Sequence, residues 1–414
     1  QYGHVPGRWK HAHILMFPKP GKDRSDVGNY RPISLTPTIC KIMEKIIGRR
    51  LHPILETILP PSQAGFRPGR NITDQLLKVQ TDLENMTFNR HYTTIMMALD
   101  IHKAFDTVWI NGLRWKMSAA DIPQPMLRWI SNLLTSRTAQ SKVNDILSDS
   151  FNLHAGLPQG SCLSPTLYTI YVADIPQPTE PLVHLSQYAD DTCYWSSATR
   201  IQIAKTKLQR MTDTYIDWCN RWRIKINPQK TQIIAIKRRA VPPRSRNRNK
   251  ISINGHRIEY SNNIKYLGIT INNKLSLTPH LQQVIQKVER PIKTLIHMSG
   301  VKQNGCNATV LKNIYTSLIR PVILYAAPLL IHLSKTQKLR TLRLERKLLK
   351  IIHKLPPYTR NTYTYHISKI KPFGKYYEKT VKNYIEKAIQ RPTMAELINN
   401  PPLNTTIATI KTFM

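Results

Sequence analysis

An α+β domain followed by a purely helical one is the fold class that this sequence of 414 residues predicts. Three observations predict it. Strand and helix signals mix from the N-terminus to about residue 275. From about residue 278 the pattern is helical and basic, with little strand signal. No internal repeat is present that would point to a solenoid instead.

FPKPGKDRSDVGNYRPIS (17–34) reads as two short strands joined by a cationic loop. PTICKIMEKIIGRRLHPIL has apolar residues at helical spacing. SQAGFRPGRNITDQ is a loop, and Asn71 or Thr73 can cap the helix that begins at TDQLLKVQTDLENM. TTIMMALDI (93–101) is an unbroken apolar run with threonines at its start, the pattern of a buried strand. AGLPQGSCLSPTLYTIYVADI (155–175) is a loop and then a helix, with Pro165 early, where proline is tolerated. HLSQYADDTCYWSS gives two short strands around a tight turn. IQIAKTKLQRMTDTYIDWCNRW (201–222) is an amphipathic helix. Its Trp218 and Trp222, spaced i, i+4, pack in the core by default and stack on bases as the alternative. INPQKTQIIAIKRR is a turn and a strand, and PPRSRNRNK (242–250) is a polar, basic stretch. ISINGHRIEYSNNIKYLGITIN gives three short strands with Asn254-Gly255 as a hairpin turn.

Charge dominates the composition. There are 61 Lys and Arg against 24 Asp and Glu, a formal net charge of +37. Such self-repulsion destabilises a compact chain unless a polyanion shares the site. Nucleic-acid phosphate is the expected partner, with affinity falling as salt rises. A membrane surface is the rival polyanion, but no amphipathic anchor or lipidation signal accompanies the charge. VILYAAPLLIHL (322–333) is too short for a membrane span and carries Pro328. The cysteines Cys40, Cys162, Cys193, Cys219 and Cys306 show no metal-ligand or CxxC spacing. That pattern fits a reducing compartment, and the expected location is nucleus and cytoplasm. The chain opens on Gln1 rather than Met and is expected to be a fragment or a processed product.

QYADDT (187–192) places two carboxylates side by side in a stretch that otherwise reads as strand. Adjacent aspartates repel, and strands disfavour Asp. They mark either an ordinary turn or a metal site. In ALDIHKAFDTVW, Asp100 ends a buried strand. A carboxylate at one strand end and a pair on a neighbouring hairpin turn can converge on two Mg2+ ions. Such a pair of ions serves phosphoryl and nucleotidyl transfer.

NYRPISL, QAGFRPGRNITDQ, ALDIHKAFDTVW, GLPQGSCLSP, YADD, WRIKINPQKT and KYLGI follow one another in that order. The series resembles the ordered motifs of reverse transcriptases, and more narrowly those of LINE-type, non-LTR retrotransposons of the Jockey-like kind. It covers roughly residues 5–275, with weaker similarity over the helical tail.

The resemblance implies a right-hand polymerase with an antiparallel palm sheet. Fingers are expected over 1–98 and palm over 99–273, with a helical finger or palm segment near 107–150. A helical thumb follows over 274–360 and a basic helical extension over 361–414. The implied activity is RNA-directed DNA polymerisation, with two Mg2+ ions (Mn2+ as an alternative), dNTPs, an RNA template and a DNA primer.

By the same resemblance Asp100 and Asp190 bind the metals and Asp191 supports them. Phe105 excludes a 2′-OH, or else packs as a core residue. RNA-directed RNA polymerases usually carry an acidic residue at that offset, and an Asn in the second palm motif. Gln159 and Gly160 line the incoming nucleotide. Arg31 grips the triphosphate, with Lys19 and Lys22 as looser candidates. Lys230 protonates the leaving pyrophosphate, or is an ordinary surface lysine. Tyr266, Leu267 and Gly268 form the primer grip, or a hairpin core. Arg67 and Arg70 meet template phosphates. Asp106 is read as structural, N-capping the next helix. The basic residues of 237–250 form a solvated loop or an import signal.

Two departures stand out. Ile110 replaces the His that often follows the Trp of the first palm motif, and no endonuclease, Cys/His knuckle or RNase H pattern is visible. A catalytically dead nucleic-acid-binding relic and a reverse transcriptase of group II intron or telomerase type are the rival readings.

Overall fold

The computed structural model describes residues 3–238, 241–300, 305–391 and 394. The chain begins with strands β1 (His11–Pro18) and β2 (Tyr30–Leu35), then helices α1 (Thr38–Ile58) and α2 (Ile72–Glu84). Strand β3 (Thr93–Leu99) leads to helices α3 (Ile110–Ala119) and α4 (Gln124–Leu133). Strands β4 (Arg137–Val143), β5 (Ile146–Leu147) and β6 (Phe151–Leu153) precede helix α5 (Ser164–Tyr171). The hairpin β7 (Val183–Tyr188) and β8 (Asp191–Ala198) leads to helix α6 (Ile201–Arg221) and strand β9 (Gln232–Ile236). Helix α7 (Pro243–Arg248) is followed by short strands β10 (Ser252–Ile253), β11 (His256–Arg257) and β12 (Tyr260–Ser261). The hairpin β13 (Asn263–Tyr266) and β14 (Ile269–Asn272) comes next. The rest is helical: α8 (Thr278–Met298), α9 (Ala308–Ile314), α10 (Arg320–Ile323), α11 (Lys335–Ile352), α12 (Asn361–Ser368) and α13 (Phe373–Ile389).

The central sheet has the order β12-β9-β3-β8-β7, with β3 antiparallel to both β8 and β9. Both of its faces are covered, which explains the unbroken apolar run of β3. Side chains alternate across a strand. Ile95, Met97 and Leu99 of β3 enter one core, with Tyr194, Ile233 and Tyr215. Met96 enters the opposite core, with Trp195, Ile234 and Leu76 of α2. That second core also holds Ile264 and Ile271 of the β13–β14 hairpin and Leu281 of α8. A third core, around Val288, Tyr315 and Leu349, belongs to the C-terminal helices.

The structure corrects some local readings and decides others between their alternatives. The segment near 107–150 is only partly helical. Residues 137–153 supply β4, β5 and β6, and β4 runs parallel to β1 in a second sheet of order β2-β1-β4-β5. Arg137 and Ala139 of β4 are buried, the alternation of a strand with one covered face. The polar stretch at 242–250 contains the helical turn α7, with Pro243 at its start. Five short strands, not three, occupy 252–272. Asn71 is the cap of α2: it accepts from the Asp74 N–H, and Asp74 accepts from the Asn71 N–H in return. Trp218 and Trp222 both pack in the core. Among the described residues no helix is long and apolar enough to cross a membrane.

Two buried carboxylates fasten the C-terminal helices. Glu345 of α11 accepts from the Tyr315 hydroxyl at 2.7 Å, the Tyr365 hydroxyl at 3.0 Å and the Phe373 N–H at 2.7 Å. It also lies 3.4 Å from the buried Arg320 guanidinium. Asp74, in the first turn of α2, accepts from the Tyr384 hydroxyl and from Arg391, each at 2.5 Å. Helix α13 therefore starts against the C-terminal core and ends on the N-terminal part of the chain. Residues 395–414 of the expected extension lie outside the described residues.

Glu345→Ala leaves the buried Arg320 without its carboxylate partner and two tyrosines without their acceptor. A loss of about 3–5 kcal/mol is expected, the scale for breaking a buried ion pair from one side. It is read as a lowered urea midpoint.

Candidate active site

Strand register assembles the site. Leu99 pairs with Thr192 on one side of β3, and Ala98 pairs with Gln232 on the other. Carried on in those registers, Asp100 lies level with Asp191 of β8 and with Lys230 ahead of β9. The contact follows: Lys230 Nζ is 3.9 Å from Asp100 Oδ2. A backbone bond from the Asn227 N–H to the Asp100 carbonyl, 2.8 Å, holds the strand end in place. Tyr188 and Asp191 close the β7–β8 hairpin around a two-residue turn, Ala189-Asp190. Ala189 has φ +59°, which hairpin turns of this length require.

The three carboxylates disturb one another. Removal from water raises the Asp100 pKa, opposed by Lys230, His102 and Lys19. Burial raises Asp190, and the Asp100 charge raises it further. Asp191 is pushed up to about 6, first by loss of water and then by repulsion from Asp190 and Asp100, with Lys265 opposing. A cleft of about 430 Å³ lined by Asp100, Asp191, Lys230, Lys265 and Tyr266 lies here. Among the described residues no three acidic, His or Cys side chains already close around an ion. The donor set nevertheless suits Mg2+: hard carboxylate oxygens carrying a mutual repulsion that a divalent cation relieves.

The nucleotide-side candidates lie on loops strapped to the same strand end. The Leu157 N–H donates to the Phe105 carbonyl at 2.8 Å. Phe105 stacks on Tyr168 with ring centroids 4.7 Å apart and meets Phe66 edge-on at 6.3 Å. The residue is half-buried. Gln159 donates from Nε2 to Asp106 Oδ1 at 2.8 Å, and its carbonyl accepts the Ser34 N–H at 2.6 Å. Gly160 has φ +120°, and a Cβ there would sit 2.5 Å from the Ser34 carbonyl oxygen. Only glycine allows that approach. Arg31 is exposed on β2, opposite Phe17. Lys19 donates to the Gly28 carbonyl at 2.9 Å and lies near enough to Asp100 to affect its charge. Lys22 is exposed in the loop, where its backbone N–H donates to the Lys19 carbonyl at 3.3 Å.

Other candidates fall elsewhere. Asp106 does not cap α3. Trp109 holds the N-cap position, and Asp106, three residues earlier, orients Gln159 instead. Arg67 does not face a template. Its guanidinium is buried, paired with Glu56 at 2.6 Å and bonded to the Pro60 and Gln63 carbonyls. Arg70 is half-buried and donates to the Pro61 carbonyl at 3.0 Å, which leaves part of it accessible. Tyr266 borders the cleft but its side chain is buried, the hydroxyl donating to Ser186 Oγ at 2.9 Å. The Leu267-Gly268 turn, with φ +44° and +79°, is held by the Tyr325 hydroxyl donating to the Leu267 carbonyl at 2.8 Å.

Sequence reasoning passed over Glu44 and Lys265. Glu44 is buried in α1, and its carboxylate accepts the Cys162 N–H at 2.7 Å, fixing the loop that carries Gln159. An acid on the same helical face as Cys40, Ile47 and Leu51 was a readable signal. Lys265 lies inside KYLGI and offers no such signal.

The raised Asp191 pKa has a defined sign. Its folded value, about 6, exceeds the ordinary 3.8, so ionisation disfavours the metal-free fold. The penalty is full at neutral pH and relieved as pH falls from about 6 towards about 4. Asp191→Asn is expected to raise the melting temperature of the metal-free protein at pH 7.5. The gain should vanish near pH 4, as thermal melts across that range will show.

Comparison with known proteins identifies the family. Residues 17–271 match the family described as reverse transcriptase (RNA-dependent DNA polymerase). The chain is 30% identical over 401 residues to the RNA-directed DNA polymerase from mobile element jockey of Drosophila melanogaster, covering 94% of this chain and 43% of that protein. It is 33% identical over 288 residues to the probable RNA-directed DNA polymerase from transposon X-element of the same fly, covering 68% and 31%. The chain thus spans less than half the length of these relatives. Among solved structures, apo telomerase from Candida tropicalis superposes with a TM-score of 0.50 at 15% identity, covering 98% of this chain and 70% of that one. That likeness is one of fold, the right-hand polymerase fold. Akin in sequence to polymerases of Jockey and other non-LTR elements, the chain belongs to the reverse transcriptase family.

Proposed function

We propose that this chain is the RNA-directed DNA polymerase of a non-LTR retrotransposon, transferring a nucleotidyl group from a dNTP to a primer 3′-OH. The observation that carries the reading is the register that sets Asp100 level with both Asp191 and Lys230, beside the Asp190 turn. Two Mg2+ ions, with Mn2+ as an alternative, supply when bound the positive charge that acidifies the 3′-OH and steadies the triphosphate. Asp100 and Asp190 would hold them, with Asp191 adding negative charge beside them.

The other residues position and neutralise. Phe105, backed by Tyr168 and Phe66, presents a rigid ring beneath the sugar and excludes a 2′-OH. Gln159, fixed by Asp106, lines the base. Arg31 and Lys19 approach the phosphates from the β1–β2 side. Lys230 donates a proton from Nζ to the departing pyrophosphate oxygen. The excess of basic residues, +37 net, fits an RNA template and DNA primer as partners. Arg70 and the Leu267-Gly268 turn are the contacts assigned to them. Nucleus and cytoplasm are the compartments proposed, in keeping with the scattered, unpaired cysteines.

Primer extension with an RNA template, a DNA primer, dNTPs and Mg2+ tests the reading. The parent should extend. Asp190→Ala should lose at least about 10²–10³-fold in rate, the scale for removing preorganised charge stabilisation. Lys230→Leu should lose about 10²-fold or more, with KM for dNTP little changed. Phe105→Val should admit rNTPs. A folded parent that binds template–primer and never extends it would sink the polymerase.

A further inference from the structure

The loop Ser62–Gly65 runs beside the catalytic hairpin as a short parallel partner of β7. Gln63 bridges to Gln187. The Ala64 N–H donates to the Gln187 carbonyl, and the Gln187 N–H to the Ser62 carbonyl, both at 2.9 Å. This pairing brings Gln63, only 1% exposed, directly under the turn that carries Asp190. Its Oε1 accepts two backbone bonds, from the Gly65 N–H at 2.7 Å and from the Ala189 N–H at 3.0 Å. The approach is as close as backbone allows: a Cβ on Gly65 would sit 2.2 Å from the Ala189 nitrogen.

Ala189 is where the turn most needs a clamp. It is buried and sits at φ +59°. An L-residue in that region costs about 1 kcal/mol or more, and its N–H points away from the β7–β8 ladder. A buried N–H without an acceptor costs about 1–3 kcal/mol. The Gln63 oxygen meets that need and, by doing so, selects the backbone conformation from which Asp190 projects. The neutral amide accepts both bonds without a charge of its own. A carboxylate in its place would accept the same two bonds but add a fourth negative charge beside Asp100, Asp190 and Asp191.

We propose that Gln63 is a positioning residue for the metal-binding carboxylate Asp190, acting through the Ala189 peptide, and that it is not a template contact. The proposal rests on the polymerase reading for its kinetic arm but not for its binding arm. Gln63→Leu removes the acceptor at similar volume. Gln63→Glu restores the acceptor atoms.

The binding arm is the rise in melting temperature on adding Mn2+ alone, which reads the carboxylates without turnover. Gln63→Leu is expected to lose most of that rise. Gln63→Glu, which keeps both bonds and adds a negative charge, is expected to keep it. In primer extension, Gln63→Leu should lower kcat about 10²-fold, the scale for a reacting group displaced by 1 Å. It should raise the Mg2+ concentration for half-maximal rate and leave KM for dNTP and Kd for template–primer unchanged. If Gln63→Leu fails to fold, Gln63→Asn, which keeps the amide but draws it back by one methylene, is read in the same way. An unchanged Mn2+ response overturns the proposal, whether or not template–primer binding weakens. A parent inactive in extension would remove the polymerase reading and leave the Mn2+ result to decide Gln63.

Discussion

Three carboxylates that repel one another are held at the ends of adjacent strands by backbone hydrogen bonds, and the rest of the molecule answers to that constraint. Loss of water first, and then this repulsion, raise the pKa of Asp190 and Asp191. Only a stiff frame keeps such groups together. The central sheet supplies it, because apolar cores on both faces fix the register of β3 against β8 and β9. A slip of one residue would exchange the two faces of the strand that slipped. The acidic site therefore draws its geometry from Ile95, Met96 and Met97, none of which touches the cleft.

The loops around the site are fixed by a second device, close backbone approach. Gly160 against Ser34, Gly156 against Asp106 and Gly65 against Ala189 each leave no room for a Cβ. Each approach joins segments distant in sequence: β2 to the nucleotide loop, that loop to the strand end after Asp100, and the Ser62–Gly65 loop to the catalytic turn. Backbone carbonyls and amides meet at these points, so the joints are insensitive to side-chain rotamers. Glu44 and Asp106 add side-chain struts to the same loop.

Much of this was legible in the chain. Asp100 after an apolar run and Asp190-Asp191 on a hairpin turn are local patterns, and the ordered motifs linked them. What escaped depends on distant partners. Arg67 reads as a phosphate ligand until Glu56, eleven residues away, is seen to bind its guanidinium. Asp106 reads as a cap because caps are local, whereas its partner Gln159 lies 53 positions on. β4 was hidden because its partner is β1, across the chain from it. Glu44 was the exception, an acid on a buried helix face, and that anomaly was visible. Lys265 carries no local signature, since its neighbourhood exists only after the hairpin has folded onto β9 and β3.

The grip of Asp74 on Tyr384 and Arg391 has a mechanical meaning. Helix α13 leaves the C-terminal core at Phe373 and lands on the first turn of α2. This contact adds a connection between the C-terminal helices and the N-terminal part of the chain, beside those made by Leu281, Leu329 and Leu330 in the core shared with Leu76. A structure with one connection opens about a hinge. A closed frame deforms only by straining its members or by releasing a joint. The joint here is a buried charge pair and a phenol, costly to part singly and lost together once water enters. Separating α13 from α2 therefore requires that joint to be released, and Gln75, the neighbour of Asp74, bonds Ser62 and Ser186 beside the catalytic hairpin.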